Sequence, residues 1–255
     1  MSDPRELFTR TFLRMNERFA NIYSLIRLAE LGLPVATFML HKETSIFVKE
    51  LVFDPKNENL FTDKAGLLKQ LGGLDGLTNH MAGAQVETFQ KAIDAAFLVF
   101  AHSILDDTAL EYCRVCSLVA PNDWEDVVIK KKVNVEEVKK KPYDAILKEL
   151  INEYIVELDK KSLLDKVDNL FKICRPPGGF SNMKNYSFDR GRIEALDKMR
   201  HSIIHGDGPI ITLPNGKEDI WYMNQTGHHL MSLVNNKYDL RIDPNIIVKY
   251  YSDKH

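Results

Sequence analysis

The sequence predicts a mainly α-helical protein, an up-and-down helical bundle that carries a small β-hairpin near its C-terminus. Apolar side chains recur at spacings of three and four residues in most segments, which is the period of an amphipathic helix. The longest such segment, residues 78–119, has the length of a bundle spine. Turns that contain proline or glycine separate the segments, as expected for helices that pack side by side.

The N-terminal region predicts one long helix and a less regular stretch. Asp3 and Pro4 favour a helix start, and apolar residues at helical spacing continue to about Leu31. Residues 32–34, which contain glycine and proline, predict the end of this helix. The apolar stretch that follows, residues 35–53, suits a helix, although its β-branched residues also allow a strand.

We expect two parts in the chain. Loops at residues 54–59 and 71–76 separate an N-terminal helical decoration, residues 1–75, from the main bundle, residues 76–255. The decoration is either an appendage or a part of the same domain. The main bundle would also hold the hairpin and a terminal helix, and the chain is long enough to bury a core of this kind.

Three further helices complete the predicted bundle. Pro142 and Ser162 each favour a helix start, and apolar residues line one face of both helices. The proline- and glycine-rich segment 175–182 then forms either a rim beside the next helix or a plain surface connection. That next helix runs from Ser187, a suitable N-cap, to His205, where a glycine ends it.

The C-terminal region predicts the hairpin. Residues 210–213 and 219–222 have strand-like composition, and a proline- and glycine-containing turn at 214–218 joins them. A last helix is expected at residues 224–234. We interpret the two histidines of this helix as structural, because leucines at helical spacing indicate that it packs.

Composition indicates an ordinary globular protein of a reducing compartment. The chain is 44% hydrophobic and 27% charged, and its formal net charge of −2 excludes a general polyanion-binding protein. Three cysteines are an odd number, which disfavours a disulfide scaffold, and we expect Cys113, Cys116 and Cys174 in the core. We find no signal-peptide core and no run of eighteen apolar residues. The sequence therefore predicts a cytoplasmic protein without a membrane segment or a cofactor.

One cation on the helix that ends at His205 lies where an apolar residue is expected. At about 100° per residue, Arg200 falls about 40° from both Leu196 and Ile204, inside the apolar arc. A buried guanidinium needs a partner because its charge is costly to desolvate. The guanidinium either pairs with Asp197, reaches out to solvent, or belongs to a functional site.

Two histidines accompany this arginine. His201 and His205 are one turn apart, so they stack on one flank beside the apolar arc. They either serve as cations that cap the helix end or carry chemistry. A metal site formed with Asp207 is a weaker alternative, because the glutamate of an H-E-x-x-H motif is absent and Ser202 follows His201.

The order of these residues resembles the signature of the HEPN superfamily: an arginine, a polar residue, three further positions and a histidine at the end of a late helix. The resemblance rests on Arg200, His201 and His205 and extends only over the helix around them. It implies an all-α domain that dimerises so that two motifs face one composite cleft. It also implies a metal-independent endoribonuclease of a toxin–antitoxin, phage-defence or RNA-processing system.

Two departures from the family pattern matter. Asparagine commonly follows the arginine in this family, whereas His201 stands here, so the role of that side chain is open. The tyrosine that a nucleotidyltransferase partner modifies in some members is replaced by Asp207, so we do not expect that modification. A non-catalytic HEPN-like module that binds RNA, a nucleotide or a protein is the alternative, and an antitoxin or regulatory protein is a further partner class.

Other charged groups could contribute to such a site. Lys130, Lys131 and Lys132, with a second lysine cluster at residues 139–141, would supply a local RNA-binding patch, or they form a hydrated surface. The acidic residues Asp106, Asp107 and Glu111 are candidate partners of Arg200, or they form a solvated acidic face. For the reaction itself we expect His205 to transfer protons, Arg200 to stabilise the phosphate and His201 to assist.

Overall fold

The structure is a computed structural model that describes residues 3–60, 63–128, 141–175, 188–206 and 216–253. Within these ranges the protein is mainly α, as predicted, and contains nine α-helices and no strand. Short 3₁₀ helices follow the first and third α-helices. The α-helices are α1 (Pro4–Phe53), α2 (Lys64–Gln70), α3 (Gly73–Val119), α4 (Glu125–Val128), α5 (Tyr143–Asp159), α6 (Leu163–Cys174), α7 (Arg190–His205), α8 (Gly216–Tyr238) and α9 (Pro244–Ser252).

The chain divides into two compact units, and α1 and α3 contribute residues to both. Unit 1 comprises Met1–Asn21, Leu98–Gly208 and Asn215–His255. Unit 2 comprises Ile22–Phe97 and Pro209–Pro214. The division at residue 75 that the sequence suggests stays a prediction.

The core of unit 1 forms around the C-terminal part of α3. Tyr112, Trp124 and Leu170 are fully buried, and the ring of Phe8 lies 5.8 Å from that of Tyr112. Helix α6 contacts both α7 and α8. The cysteines of α3 and α6 are free thiols in this core, as predicted, and burial raises the pKa of Cys113.

In unit 2, α1 and α3 pack through a small apolar cluster. Val48 and Val52 of α1 are buried with Leu77 of α3, and leucines of α2 and of the turn after it pack against them. The hydroxyl of Thr44 is buried on the same face of α1 and donates to Oε1 of Gln85 at 3.3 Å. This continuous packed face explains why residues 44–48 form a helix and not a strand.

The first helix does not end at residues 32–34, which corrects the predicted break. Helix α1 continues through Pro34 to Phe53. An internal proline costs a helix one hydrogen bond and about 3 kcal/mol, but it does not forbid one. Similarly, α3 begins at Gly73, inside the loop predicted at residues 71–76.

The predicted hairpin is also wrong. Residues 219–222 lie within α8, which begins at Gly216, and the first predicted strand lies outside the described residues. Ile220, Met223 and Leu230 are buried at helical spacing. Gly227 continues this face, since a Cβ there would meet Sδ of Met15 at 2.3 Å. A short apolar run looks alike in a strand and in a buried helix, which is the cause of the error.

Helix α1 also contains an apolar stretch that was not predicted from the sequence. By length and composition alone it could cross a membrane, and only 6% of its most apolar eighteen-residue window is buried. Core helices of soluble proteins and signal sequences share these properties. The cytoplasmic location therefore stays a prediction.

A buried ion pair holds α6 to α3 in unit 1 and generates a stability prediction. Nζ of Lys166, whose side chain is 1% exposed, lies 2.6 Å from Oδ2 of Asp106. Burial raises the pKa of Asp106 more than the hydrogen bond and charge of Lys166 lower it. The two partners differ in exposure: the Asp106 side chain is 27% exposed and keeps contact with water, whereas Lys166 is enclosed.

We expect Asp106→Asn to lower the free energy of unfolding by about 3 kcal/mol, because it leaves a buried charge without a counter-charge. Lys166→Met should cost less, about 1 kcal/mol, since the unpaired Asp106 is partly hydrated and the methionine fills the space. Urea denaturation at pH 7 measures both changes. A larger loss for Lys166→Met would contradict this account.

Candidate functional site

Helix α7, which carries the predicted motif, is firmly attached at its N-terminal end. The side chain of Asp189 caps the helix by accepting a hydrogen bond from the backbone N–H of Arg192. The hydroxyl of Tyr222 on α8 accepts from the N–H of Asp189 at 2.8 Å and donates to its carbonyl at 3.0 Å. Arg192 pairs with Asp219 at 2.7 Å and lies over the ring of Tyr222. The predicted cap, Ser187, lies outside the described residues.

The C-terminal end of α7 stops where the sequence predicts. Gly206 adopts a left-handed conformation with φ of 66°, and its N–H donates to the carbonyl of Ser202. Ile193 and Leu196 are buried and hold α7 to its unit. The last turn is therefore displayed from a helix that is capped at both ends.

The structure brings the three motif residues together on this last turn. The rings of His201 and His205 lie with their centroids 4.2 Å apart and their planes tilted by 42°, and both side chains are exposed. Arg200 is half-buried, and its Nε is buried without a hydrogen-bond partner. Within the described part of the chain Arg200 forms no ion pair. A guanidinium and two imidazoles thus share one helix end, where the dipole favours cations.

The apolar arc that was expected around Arg200 is divided. Leu196 on one side of the arginine is buried, but Ile204 on the other side is 49% exposed. Arg200 therefore lies at the boundary between the core and the surface. An exposed isoleucine and two exposed histidines lie beside an arginine that has no ion-pair partner among the described residues, which distinguishes this surface from an ordinary charged helix face.

Asp197, the alternative partner of Arg200, is bound elsewhere. Its Oδ1 lies 2.7 Å from Nε2 of His102 on α3, a residue that is only 3% exposed. Its Oδ2 accepts a hydrogen bond from the backbone N–H of Leu164 on α6 at 3.2 Å. Burial raises the pKa of Asp197, but the hydrogen bonds from His102 and Leu164 outweigh it, so the pKa lies below 3.8.

This carboxylate therefore fastens α7 to α3 and α6 one turn before the motif. Sequence reasoning missed the pair, since the two residues are 95 positions apart. The available signal was a histidine on the apolar face of α3.

The acidic residues of α3 do not answer Arg200, which corrects that expectation. Asp106 pairs with Lys166, and Asp107 accepts from Arg18 at 2.8 Å. Glu111 pairs with Arg114 within the same helix. All three have partners other than Arg200: Asp106 and Asp107 pair with residues of other helices, and Glu111 pairs within α3.

Other predicted site residues cannot be placed. Lys130, Lys131 and Lys132 lie outside the described residues, as does residue 207 of the metal alternative. Lys141, the last member of the second lysine cluster, is described and pairs with Glu149 at 2.7 Å. No group of three histidine, cysteine or acidic side chains that could hold a metal ion occurs within the described ranges.

Comparisons with known proteins find no relative. No protein-family model matches the sequence, and no curated protein or solved structure is significantly similar to it. The HEPN resemblance therefore rests on Arg200, His201 and His205 and on their position at the end of α7, and it stays a prediction.

The Asp197 anchor generates a second prediction. Asp197→Ala removes the acceptor of two enclosed groups, and we expect it to lower the free energy of unfolding by about 2 kcal/mol. Lys198→Ala is the matched control, because Lys198 is 76% exposed and pairs only with Glu194 on the same helix. Its cost should stay below about 0.5 kcal/mol. Equal costs for the two variants would show that Asp197 is not an anchor.

The pH dependence of this anchor follows from the direction of its pKa shift. Because the pKa of Asp197 is lower in the folded state than in the unfolded state, the carboxylate stabilises the fold above pH 3.8. That contribution disappears as the pH falls through the folded pKa. Asp197→Asn should therefore lose less stability than the native protein between pH 5 and pH 3, as thermal melts at several pH values would show.

Proposed function

We propose that the protein is a metal-independent endoribonuclease of the HEPN type that acts as a homodimer. The observation that supports this most directly is the last turn of α7. It displays His201 and His205 to solvent beside Arg200, which forms no ion pair within the described residues. A permanently charged planar group and two proton carriers are the groups that RNA cleavage without metal requires.

The reaction assigns a role to each residue. A histidine removes the proton of a ribose 2′-hydroxyl, and the 2′-oxygen attacks the adjacent phosphorus. The bond from phosphorus to the 5′-oxygen then breaks, and a protonated histidine delivers a proton to that oxygen. The products are a 2′,3′-cyclic phosphate and a 5′-hydroxyl. We assign proton transfer to His205, charge stabilisation to Arg200 and an assisting role to His201.

The geometry of the histidine pair favours a dimeric site. The attacking and leaving oxygens lie on opposite sides of the phosphorus, roughly in line. Two imidazoles whose ring centroids are 4.2 Å apart on one helix flank leave no room for a phosphate between them. A second copy of α7, related by a two-fold axis, would supply the histidine on the other side.

Arg200 is also needed for phosphate binding. The C-terminal end of a helix carries partial negative charge, which disfavours an anion. The protein as a whole has a net charge of −2 and supplies no general attraction to RNA. A phosphate at this position therefore depends on the local guanidinium charge. The lysines at positions 130–132 are further candidates for contact with the RNA backbone.

The biological setting is part of the proposal. We infer a cytoplasmic RNase of a toxin–antitoxin or phage-defence system, with an antitoxin or regulatory protein as a further partner. Such enzymes act on cellular RNA and must be restrained. The alternative function, a HEPN-like module that binds RNA, a nucleotide or a protein without cleavage, uses the same exposed turn.

Substitution of His205 tests the proposal. His205→Ala should reduce cleavage of mixed single-stranded RNA in the presence of EDTA by at least 100-fold, because proton transfer typically contributes 10²–10⁴-fold. Arg200→Lys should also lose most activity, since a lysine cannot form the bidentate contact. Cleavage is measured by gel electrophoresis, and the product ends are identified by mass spectrometry as cyclic phosphates.

Lys198→Ala, on the same helix and exposed, serves as the control and should keep native activity. Circular dichroism establishes that each variant is folded. Undiminished cleavage by His205→Ala would exclude the assigned role. Binding of RNA by the native protein without cleavage would favour the non-catalytic module.

A further inference from the structure

A stripe of exposed apolar residues runs along α1 within unit 2. Its members are spaced by seven, four, seven and seven positions, and each is at least half exposed: Leu28, Val35, Met39, Ile46 and Phe53. At about 100° per residue, they all lie within about 20° of one line along the helix. The stripe is therefore straight and extends over 26 residues, from position 28 to position 53.

The fold of unit 2 does not explain this stripe. Val48 and Val52, which pack on α3, lie on the opposite side of α1. The helix is thus apolar on two sides, and unit 2 covers only one of them. A groove between α1 and α3 adjoins the stripe and exposes two further aromatic side chains, Phe47 and Phe89. Such a continuous apolar surface marks an interaction site.

Charged residues border the stripe in a sorted arrangement. Lys42 and Lys49 lie along one edge, and Glu43 and Glu50 lie along the other. All four side chains are exposed, and none forms an ion pair within the described residues. None has an opposite charge three or four positions away in the helix, where an intrahelical pair would form. Each of the two lysines is next to a glutamate in the sequence, so a basic and an acidic group lie at nearly the same level along the helix axis. All four groups are therefore free to pair with another molecule.

We propose that the stripe is the seam of a parallel homodimer in which α1 of one chain packs against α1 of a second copy. A two-fold axis parallel to the helices brings the basic edge of one copy against the acidic edge of the other. Lys42 then faces Glu43 of the second chain, and Lys49 faces Glu50. An antiparallel two-fold pair would place each edge against the same edge of the other copy, without this complementarity. The complementary edge charges thus favour a second copy of the chain as the partner and a parallel orientation of the two α1 helices.

A lipid bilayer is the other class of apolar partner, and the sequence disfavours it. Arg27 and Glu30 interrupt the apolar stretch between Leu25 and Met39, and the four edge charges follow within a few turns. A charged side chain near the centre of a membrane-spanning helix is strongly unfavourable. In a protein seam the same charges lie at the edges, where they remain hydrated.

Cysteine cross-linking of the full-length protein tests the orientation. Leu28→Cys and Phe53→Cys should each form a disulfide-linked dimer under mild oxidation, because a parallel pair brings identical positions together. In an antiparallel pair these positions are about 37 Å apart, at about 1.5 Å per residue. Only a mixture of the two variants would then cross-link. The native protein is the control for its own cysteines, which are buried.

Reversal of the charges along the two edges of the stripe tests whether they pair across the dimer. Lys42→Glu with Lys49→Glu, and separately Glu43→Lys with Glu50→Lys, should each weaken the homodimer at least tenfold in analytical ultracentrifugation. Equimolar mixing of the two variants should restore a dimer. The protein that carries all four changes should again form a homodimer, which shows that the substitutions do not unfold the chain.

Three results would overturn the proposal: a native protein that is monomeric at 100 µM, cross-linking only in the mixture of cysteine variants, or charge variants that dimerise as the native protein does. Flotation of the native monomer with phosphatidylcholine–phosphatidylglycerol vesicles would assign the stripe to a membrane. These measurements do not depend on RNA cleavage, so they remain informative if the protein is not a nuclease.

Discussion

The position of the candidate site depends on one partly buried carboxylate. Asp197 binds His102 of α3 and the backbone of Leu164 on α6, so three helices meet at a single side chain. These contacts are partly shielded from water, and the strength of a hydrogen bond increases where water is excluded. Arg200 lies three positions later and His201 four, which places both on the turn directly above the anchor. The exposed turn can therefore hold its geometry without contacts of its own.

This arrangement separates stability from chemistry. The N-terminal end of α7 is held by Tyr222 and Asp219 of α8, and the middle is held by Asp197. The last turn contributes little burial, since His201, Ile204 and His205 are exposed. Groups that must contact a ligand cannot also be fully paired inside the protein. Arg200 is the clearest example, because its Nε is buried without a hydrogen-bond partner.

Capping residues and apolar periodicity predicted much of the fold, but they could not predict contacts between residues that are far apart in the sequence. Ser162 caps α6 and Gly206 ends α7 because these residues satisfy backbone groups within a few positions. The break at residues 32–34 failed because a proline inside a helix does not have to end it, and the hairpin failed because packing in the core of unit 1 outweighed local preference. For the site, spacing placed Arg200, His201 and His205 together. It did not identify His102, whose contact with Asp197 exists only once α3 and α7 are folded together.

Both proposals require a second copy of the chain, and symmetry connects them. In a closed two-fold dimer the operation that relates the two α1 helices also relates the two α7 helices. If α1 pairing and cleft formation used different axes, each chain would carry two self-complementary surfaces, and the assembly would grow to a tetramer or beyond. A shared axis instead makes the second contact intramolecular, at an effective concentration set by the first. If one axis serves both contacts, the proposed α1 seam adds apolar contact area to a dimer whose motif turn exposes Ile204.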